Sequence, residues 1–287
     1  MPHAPPEWTR TDVEVPGPDG PMPLEVWMMG DSGAEHTVLA LHGFPQSARS
    51  WRAVGERLAA EGVRTIAPDQ RGYSPLARPD GVESYRMTLL VDDVLAVADA
   101  LGAQRFHLLG HDWGAQVGWN VCDRAPDRVV SFTALSVPHP RAFAAAYRED
   151  EEQRKASEYI GLFWQPDVAE EWLAGDDWAG LRRMLAGLPE DEIEHYVMRM
   201  RSPGALTAAL AWYRAMESGA GSAPTRVPTT YVWSTGDAAL RRRGAELCGE
   251  FVDADYRLVV LDGVSHWIPD EAPDAAFQAV LARIRGG

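Results

Sequence analysis

A carboxylate stands between glycines in the segment GHDWG, residues 110–114, where its middle residue is Asp112. An apolar run typical of a strand, residues 106–110, leads into this segment, and a helical pattern that ends at Pro126 follows it. Glycines on both sides permit a sharp strand-to-helix turn, which brings the middle side chain to the edge of a sheet. The start of the helix favours the ionised carboxylate. We therefore predict that Asp112 is a nucleophile rather than only a helix cap.

A nucleophile of this kind needs a histidine base and a second acid that orients the histidine. Asp237 follows the strand-like residues 229–233, and His266 follows the strand-like residues 256–261. Both lie just after the carboxyl end of a strand, where open parallel sheets place their active groups. Taken singly, Asp237 could be a helix cap and His266 a surface histidine. Together with Asp112 they have the chain order nucleophile, acid, histidine, which predicts a catalytic triad.

The segment His42-Gly43-Phe44-Pro45 comes directly after another strand-like run, residues 37–41. A turn here can direct a backbone N–H group at the reacting oxygen, together with the N–H group that follows the nucleophile. We predict that the amides of Phe44 and Trp113 form this oxyanion hole. A plain turn is the alternative.

The type of nucleophile indicates the type of bond that reacts. A serine suits attack on an acyl carbonyl, because the substrate then supplies the carbonyl group of an ester that water can later cleave. A carboxylate brings its own carbonyl, so it can open a strained ring at a saturated carbon and still leave a cleavable ester. Attack by Asp112 would give an alkyl ester, and water activated by His266 and Asp237 would cleave that ester at its carbonyl carbon. The released enzyme would then carry one oxygen from solvent.

The elements that position these groups alternate between strands and helices. Apolar runs predict seven strands. These are residues 23–29, 37–41, 63–67, 106–110, 129–137, 229–233 and 256–261. Amphipathic helical patterns separate them, among them one from Thr88, one from about 238 to 250 and one from about 271 to 285. Nearly continuous apolar strands separated by helices predict a mostly parallel central sheet with helices on both faces.

The alternation stops in the middle of the chain. From about 140 to 217 we find only helical signals, and residues 218–228 have the composition of a linker that returns to the core. We predict an α/β core formed by residues 1–139 and 223–287. Residues 140–222 are predicted to form an inserted helical cap.

Composition excludes several classes of function. The formal net charge of −15 argues against a nucleic-acid surface, and no apolar run approaches the length of a spanning helix. Two cysteines in 287 residues are too few for a disulfide framework, and prolines interrupt the first ten residues where a secretory leader would be apolar. We expect a cytoplasmic protein with no membrane or nucleic-acid partner and no metal. A homodimer is left open.

Five segments together resemble a known family. HGFPQSARSW, PDQRGYS, GHDWGA, the Asp237 loop and SHWIPDEAP are similar to the epoxide hydrolases of the α/β-hydrolase superfamily, over nearly the whole chain. The resemblance implies the α/β-hydrolase fold with an inserted cap, in the branch with an Asp nucleophile that is related to haloalkane dehalogenases. It also implies a small apolar epoxide and water as substrates, and no cofactor.

The same resemblance points to two tyrosines of the cap. Tyr159 begins YIGLFWQPDVAE, which matches the family segment except for Asp167 in place of glycine. Tyr213 lies in LAWYRAM, where Ala211 replaces the asparagine of the family. In the family, such tyrosines hydrogen-bond the epoxide oxygen and help it to leave as a hydroxyl. Packing within the cap is the alternative role for each.

Large aromatic side chains near these motifs suit an apolar pocket. Trp164, Trp212 and Trp267 are predicted to line it, with core packing as the alternative.

Other functions share parts of this sequence pattern. Haloalkane dehalogenases share the Asp nucleophile and Trp113, but they add an Asn or Glu after the HG pair or a cap Trp. This chain has Phe44 at that place, so only Trp164 or Trp212 could serve as the second halide donor. Fluoroacetate-type dehalogenases have arginines where this chain has Trp113 and Gln116, and a serine esterase would need serine at the elbow. A catalytically silent small-molecule binder would have lost part of the triad, which is complete here.

Overall fold

A computed structural model of the chain describes residues 7–216 and 223–286. Its centre is an eight-stranded sheet in the order β1-β2-β4-β3-β5-β6-β7-β8. The strands are β1 Thr9–Val15, β2 Met22–Met29, β3 Thr37–Leu41, β4 Arg64–Pro68, β5 Phe106–His111, β6 Val129–Leu135, β7 Thr229–Ser234 and β8 Tyr256–Leu261. β2 pairs antiparallel with both β1 and β4, and every other pair is parallel. The mostly parallel sheet is therefore confirmed.

Seven of the eight strands lie where the sequence predicts them, and β1 was missed. Its sequence, TRTDVEV, has only Val13 and Val15 buried, and charged or exposed residues fill the rest of the strand. An edge strand of this kind buries little apolar surface, so its pattern is weak. The strand predicted at 129–137 ends at Leu135, because Ser136 takes a φ of 67° and the chain turns there.

Twelve α-helices accompany these strands in the described ranges. They are α1 Arg52–Ala60, α2 Met87–Ala100, α3 Trp113–Arg124, α4 Pro140–Glu149, α5 Glu151–Ala156, α6 Glu158–Phe163, α7 Val168–Met184, α8 Glu190–Met200, α9 Ala205–Arg214, α10 Arg242–Leu247, α11 Ile268–Glu271 and α12 Pro273–Arg285. Helices α4 to α9 lie between β6 and β7, as expected for an inserted helical cap. Part of the predicted return linker, residues 217–222, lies outside the described residues.

Two helix boundaries differ from the prediction. The helix expected from about residue 238 begins at Arg242, because the Asp237 carboxylate accepts hydrogen bonds from the N–H groups of Ala239 and Leu240 and holds a turn there. The helix expected from about 271 to 285 is α12, which begins at Pro273, and a separate short helix, α11, precedes it. Proline at the first position of a helix is favourable, since its missing N–H would have no partner there.

Alternate residues of the central strands face two separate apolar layers. In β3, Val38 and Ala40 pack in a cluster with α1 and α12, whereas Leu39 and Leu41 pack in a second cluster with α2 and α3. The second cluster extends into the cap. Helices therefore cover both faces of the sheet, as predicted from its continuous apolar strands.

Polar contacts attach the cap to the core. Arg199 of α8 donates to the Asp69 carboxylate at 2.9 Å, and Arg49 forms a bidentate pair with Glu192, with both N–O distances at 2.8 Å. Asp69 is almost fully buried, and its other carboxylate oxygen accepts from the Ala48 N–H. The loop after β3 and the loop after β4 are thus tied to the same cap helix.

Some features of other protein classes are absent from residues 7–216 and 223–286. No helix there has both the length and the apolar character needed to cross a membrane. Within the same ranges, no group of three or more His, Cys, Asp or Glu side chains is placed to hold a metal ion. Cys122 and Cys248 are buried thiols.

Candidate active site

Asp112 lies at the turn between β5 and α3, with a φ of 52° and a ψ of −121°. This backbone conformation is strained for a residue with a side chain, and such strain is commonly found at functional positions. Gly114 permits the tight turn, because a Cβ atom there would lie 2.0 Å from the carbonyl oxygen of Leu41. The turn holds the Asp112 carboxylate at the carboxyl edge of the sheet, next to the loop after β3.

One oxygen of the nucleophile is held by backbone N–H groups. The Phe44 N–H donates to Oδ1 of Asp112 at 2.8 Å, and the Trp113 N–H also hydrogen-bonds this carboxylate. The close approach depends on Gly43, where a Cβ would lie 2.3 Å from Oδ1 and 2.4 Å from the Asp112 Cβ. The structure thus brings both predicted oxyanion-hole amides to the carboxylate. Its other oxygen, Oδ2, faces the histidine.

His266 lies between the two carboxylates. Its Nε2 is 3.6 Å from Oδ2 of Asp112, and its Nδ1 is 2.9 Å from Oδ2 of Asp237. The remaining oxygen of Asp237 accepts the N–H groups of Ala239 and Leu240 at 2.8 and 2.9 Å. Asp237 is therefore fixed from behind and can orient the imidazole, which is the arrangement that a triad requires.

Burial and charge act in opposite directions on these three groups. Burial raises the pKa of Asp112, but the hydrogen bond and charge of His266 outweigh it, and the net pKa lies below the usual value. The balance for Asp237 is the same. Burial raises its pKa, but His266 and two backbone N–H groups lower it by more, so the net pKa lies below the usual value. Burial lowers the pKa of His266, yet the two carboxylates raise it to about 10. At neutral pH the site therefore holds two carboxylates and an imidazolium.

A chain of buried polar groups supports the catalytic loops from behind. His111 Nε2 lies 2.8 Å from the backbone carbonyl of His266, and His111 Nδ1 lies 3.0 Å from the side-chain amide of Gln46. Gln46 also bonds Asp270 at 2.5 Å, and the Tyr196 hydroxyl of α8 donates to the other oxygen of Asp270 at 3.1 Å.

Two titratable members of this chain have unusual pKa values. Burial raises the pKa of Asp270 to about 7, and the neighbouring charge of Glu192 adds to this. Burial lowers the pKa of His111 to about 3, so its ring is neutral. Gln46 and Asp270 were not singled out from the sequence, although both lie within the family-like motifs. Polar residues inside such motifs were the available signal.

A cavity of about 570 Å³ opens in front of the nucleophile. Its wall includes Asp112, Trp113, Tyr159 and Tyr213, so the structure brings both predicted cap tyrosines to the nucleophile's cavity. The two phenol rings are nearly perpendicular, with their centroids 6.3 Å apart. Burial, followed by the charge of Asp112, raises the pKa of each phenol, so both are neutral acids at ordinary pH. The rings of Trp113 and Tyr213 are in edge-to-face contact, with their centroids 5.0 Å apart.

The three tryptophans predicted to line the pocket are not part of this cavity wall. Trp164 is 53% exposed, and its indole N–H donates to the carbonyl of Tyr213 at 2.9 Å. Trp212 and Trp267 are buried, and their N–H groups donate to the carbonyls of Arg71 and Met184. Each indole N–H is therefore directed at the backbone and not at a substrate.

Other residues of the wall were not foreseen from the sequence. Most of them are apolar or small, and two are arginines of α4. They are Gln116, Val137, Pro140, Arg141, Phe143, Ala144, Ala145, Arg148, Ile160, Met216, Leu240 and Phe251. The spacing of Arg141 and Arg148, two helical turns apart, was the available signal that both share one helix face. Which way that face turns depends on how the cap packs, so the sequence alone could not place it.

Comparisons with known proteins show the family to which this chain is similar. Residues 38–279 match the model of a family described as "Alpha/beta hydrolase family". The chain is 32% identical to Epoxide hydrolase A of Mycobacterium tuberculosis (strain ATCC 25618 / H37Rv), over 92% of this chain and 94% of that protein. It is also 32% identical to the AB hydrolase superfamily protein YfhM of Bacillus subtilis (strain 168), over 86% and 90% of the two chains. The crystal structure of Epoxide Hydrolase A from Mycobacterium thermoresistibile is similar, with a TM-score of 0.82, 30% identity, and coverage of 97% and 99%.

Proposed function

Because this chain belongs to the alpha/beta hydrolase family, we propose that it is an epoxide hydrolase that converts a small apolar epoxide to a vicinal diol. The observation that carries the proposal is the carboxylate of Asp112 at the strained turn. Its Oδ1 is held by the Phe44 N–H, and its Oδ2 points toward His266. The names of the relatives that are epoxide hydrolases support the same reaction.

The first step is ring opening. Oδ2 of Asp112 attacks one carbon of the epoxide, the carbon–oxygen bond of the ring breaks, and an alkyl ester forms. The departing oxygen takes a proton from Tyr159 or Tyr213, whose neutral phenols face the same cavity. A positioned general acid of this kind contributes about 10²- to 10⁴-fold in rate.

The second step is cleavage of the ester. Ester formation removes the negative charge of Asp112, which is one of the two charges that raise the pKa of His266. His266 can then return a proton to the tyrosinate, through the new hydroxyl group or water, and becomes a neutral base. It takes a proton from water, and the hydroxide attacks the ester carbonyl carbon. The N–H groups of Phe44 and Trp113 stabilise the oxyanion, and the bond between the carbonyl carbon and the original Asp oxygen then breaks. The departing oxygen takes the remaining proton of the water molecule from the new carboxyl group, so the diol leaves and Asp112 is again a carboxylate that keeps the oxygen from water.

The haloalkane reaction is the closest competing proposal, since Trp113 borders the cavity and Asp112 is a suitable nucleophile for it. A second halide donor would have to come from Trp164 or Trp212, and both indole N–H groups already donate to backbone carbonyls. The two tyrosines in the cavity instead suit an oxygen leaving group. A silent binder is disfavoured because all three triad residues are present and His266 lies between the two carboxylates.

Trapping of the ester tests the proposal. We expect His266→Gln to open the epoxide but not to cleave the ester, so the intact protein gains the mass of one substrate. Asp112→Ala should show neither turnover nor adduct. In wild type, repeated turnover in heavy-oxygen water should place label in the Asp112 side chain.

A small panel of epoxides, haloalkanes and esters, assayed with wild type, separates the competing reactions. Release of halide from a chloroalkane, with no adduct from any epoxide, would overturn the proposal in favour of a dehalogenase. Absence of heavy oxygen from residue 112 after diol formation would contradict the covalent route.

A further inference from the structure

Two arginines of the cap helix α4 face the catalytic cavity. Arg141 and Arg148 lie in its wall, and the small residues Ala144 and Ala145 lie between them on the same helix face. A separation of seven residues places them about 10 Å apart along the helix axis. They form a pair of cationic groups on one side of a cavity that holds the nucleophile.

Neither guanidinium group has a carboxylate partner among the described residues. Neither guanidinium group forms an ion pair or a hydrogen bond with residues 7–216 or 223–286, whereas several other arginines in these ranges pair with acids. The neighbouring Glu149 pairs with Arg243 at 2.8 Å and so does not neutralise Arg148. Both arginines are solvent-exposed, which places them at the outer part of the wall.

Among the described residues, the cavity wall has no other arginine or lysine, and its one carboxylate is Asp112. Most of the remaining wall is apolar, with Phe143, Ile160 and Leu240 among its members. This side of the cavity therefore carries two positive charges in a chain whose net charge is −15. The arrangement suits a ligand with an apolar middle, a reactive end near Asp112 and an anionic end near α4.

Resting on the proposed function, we propose that the substrate is an epoxide that carries a carboxylate, and that Arg141 and Arg148 bind this carboxylate. The arginines select the substrate and do not take part in bond making or breaking. Arginine is suited to this role because its planar guanidinium can donate two parallel hydrogen bonds to a carboxylate.

A matched pair of substrates tests the proposal. One is a straight-chain acid with a terminal epoxide at the end opposite its carboxylate, and the other is the primary amide of that acid, which has nearly the same shape but no charge. We expect wild type to prefer the acid by about 10-fold in kcat/KM at low salt, with less preference at high salt. The variant Arg141→Gln, Arg148→Gln should lose this preference through a higher KM for the acid, while kcat and the kinetics of the amide stay unchanged.

Two further variants make the test specific. The variant Arg141→Lys, Arg148→Lys keeps both positive charges and should retain a preference of a few fold for the acid over the amide. Lysine acts as a point charge and lacks the planar guanidinium that donates two parallel hydrogen bonds. Arg52→Gln, Arg124→Gln serves as the control, because both arginines are exposed outside the wall of this cavity and the variant also loses two positive charges. It should leave the preference unaltered.

The outcomes separate this inference from the proposed function. If wild type converts acid and amide equally well, and the double glutamine variant changes neither, the arginines do not select an anionic substrate and the inference is overturned. If no epoxide of either kind is converted, the proposed function itself has failed. An equal loss on both substrates would assign the arginines to the structure of the cap and would also overturn the inference.

Discussion

Replacement of Gly43 by alanine should disable Asp112 as a nucleophile without replacing any catalytic side chain. An added Cβ would lie 2.3 Å from Oδ1 of Asp112, 2.4 Å from its Cβ and 2.7 Å from its Cγ. The carboxylate oxygen could swing away, but the Asp112 Cβ is fixed by the strained turn. The loop that carries Phe44 must therefore move, and its N–H is then no longer 2.8 Å from Oδ1.

Gly43→Ala should lower both kcat and stability. Loss of one oxyanion-hole donor costs about 10²- to 10³-fold in kcat. Insertion of a methyl group into a filled site destabilises by about 1–3 kcal/mol. The three atoms closest to the new Cβ all belong to Asp112, so Asp112→Gly should relieve most of the overlap. Glycine also suits the positive φ at that position.

The assay is a double-mutant cycle on stability combined with kinetics of the single variant. Unfolding free energies of wild type, Gly43→Ala, Asp112→Gly and the double variant should give a coupling of at least about 1 kcal/mol between the two sites. Gly33→Ala is the control, because Gly33 lies in an exposed loop where the nearest atom to its new Cβ is 3.6 Å away. It should change neither kcat nor the coupling.

Two results would refute this reasoning. One is a Gly43→Ala enzyme with kcat within a few fold of wild type. The other is an equal loss of stability from Gly43→Ala whether or not residue 112 has a side chain, since the overlap would then not involve the nucleophile.

Two further predictions concern the cap and the buried acid. Single variants Tyr159→Phe and Tyr213→Phe should slow ring opening by about 10²-fold, and the double variant by more, in single-turnover rates of ester formation; near-normal rates in the double variant would exclude their role as acids. The pKa of Asp270 is raised to about 7 in the folded state, so folding favours its protonated form. The stability that the protonated carboxyl contributes is full below the pKa of the unfolded chain and is lost as pH rises through 7. Asp270→Asn should therefore have a higher free energy of unfolding than wild type at pH 8, by a few kcal/mol in order of magnitude, and this difference should narrow toward pH 4. A difference in unfolding free energy that does not vary with pH would contradict this.

The parallel core and the meeting of the three candidate triad residues could be predicted because their sequence signals are local. The buried strands are continuous apolar runs, and Asp112, Asp237 and His266 each follow such a run, so their meeting at one sheet edge follows from the parallel arrangement. The edge strand β1 gave no comparable signal, since only Val13 and Val15 of it are buried. Its pairing with β2 depends on the rest of the sheet being present.

The cap was predictable as a group of helices but not in detail. The motifs around Tyr159 and Tyr213 indicated which side chains face the cavity, and the structure places both in its wall. The aromatic character of Trp164 carried no such information: a tryptophan near a site can pack, cap a carbonyl or contact substrate, and here its N–H binds the carbonyl of Tyr213. The direction of each cap helix is set by contacts that are distant in sequence.

The timing of the two proposed steps follows from charge alone. Asp112 and Asp237 together raise the pKa of His266 to about 10, so the imidazole is protonated and cannot act as a base in the resting enzyme. Ester formation removes the charge of Asp112, one of the two that raise the pKa of His266, so this pKa falls while burial continues to lower it. The base is therefore released only when there is an ester to cleave. A serine at position 112 would be neutral before the reaction and would not raise the pKa of His266. The Asp112 carboxylate that attacks a saturated carbon therefore also sets the order of the proton transfers.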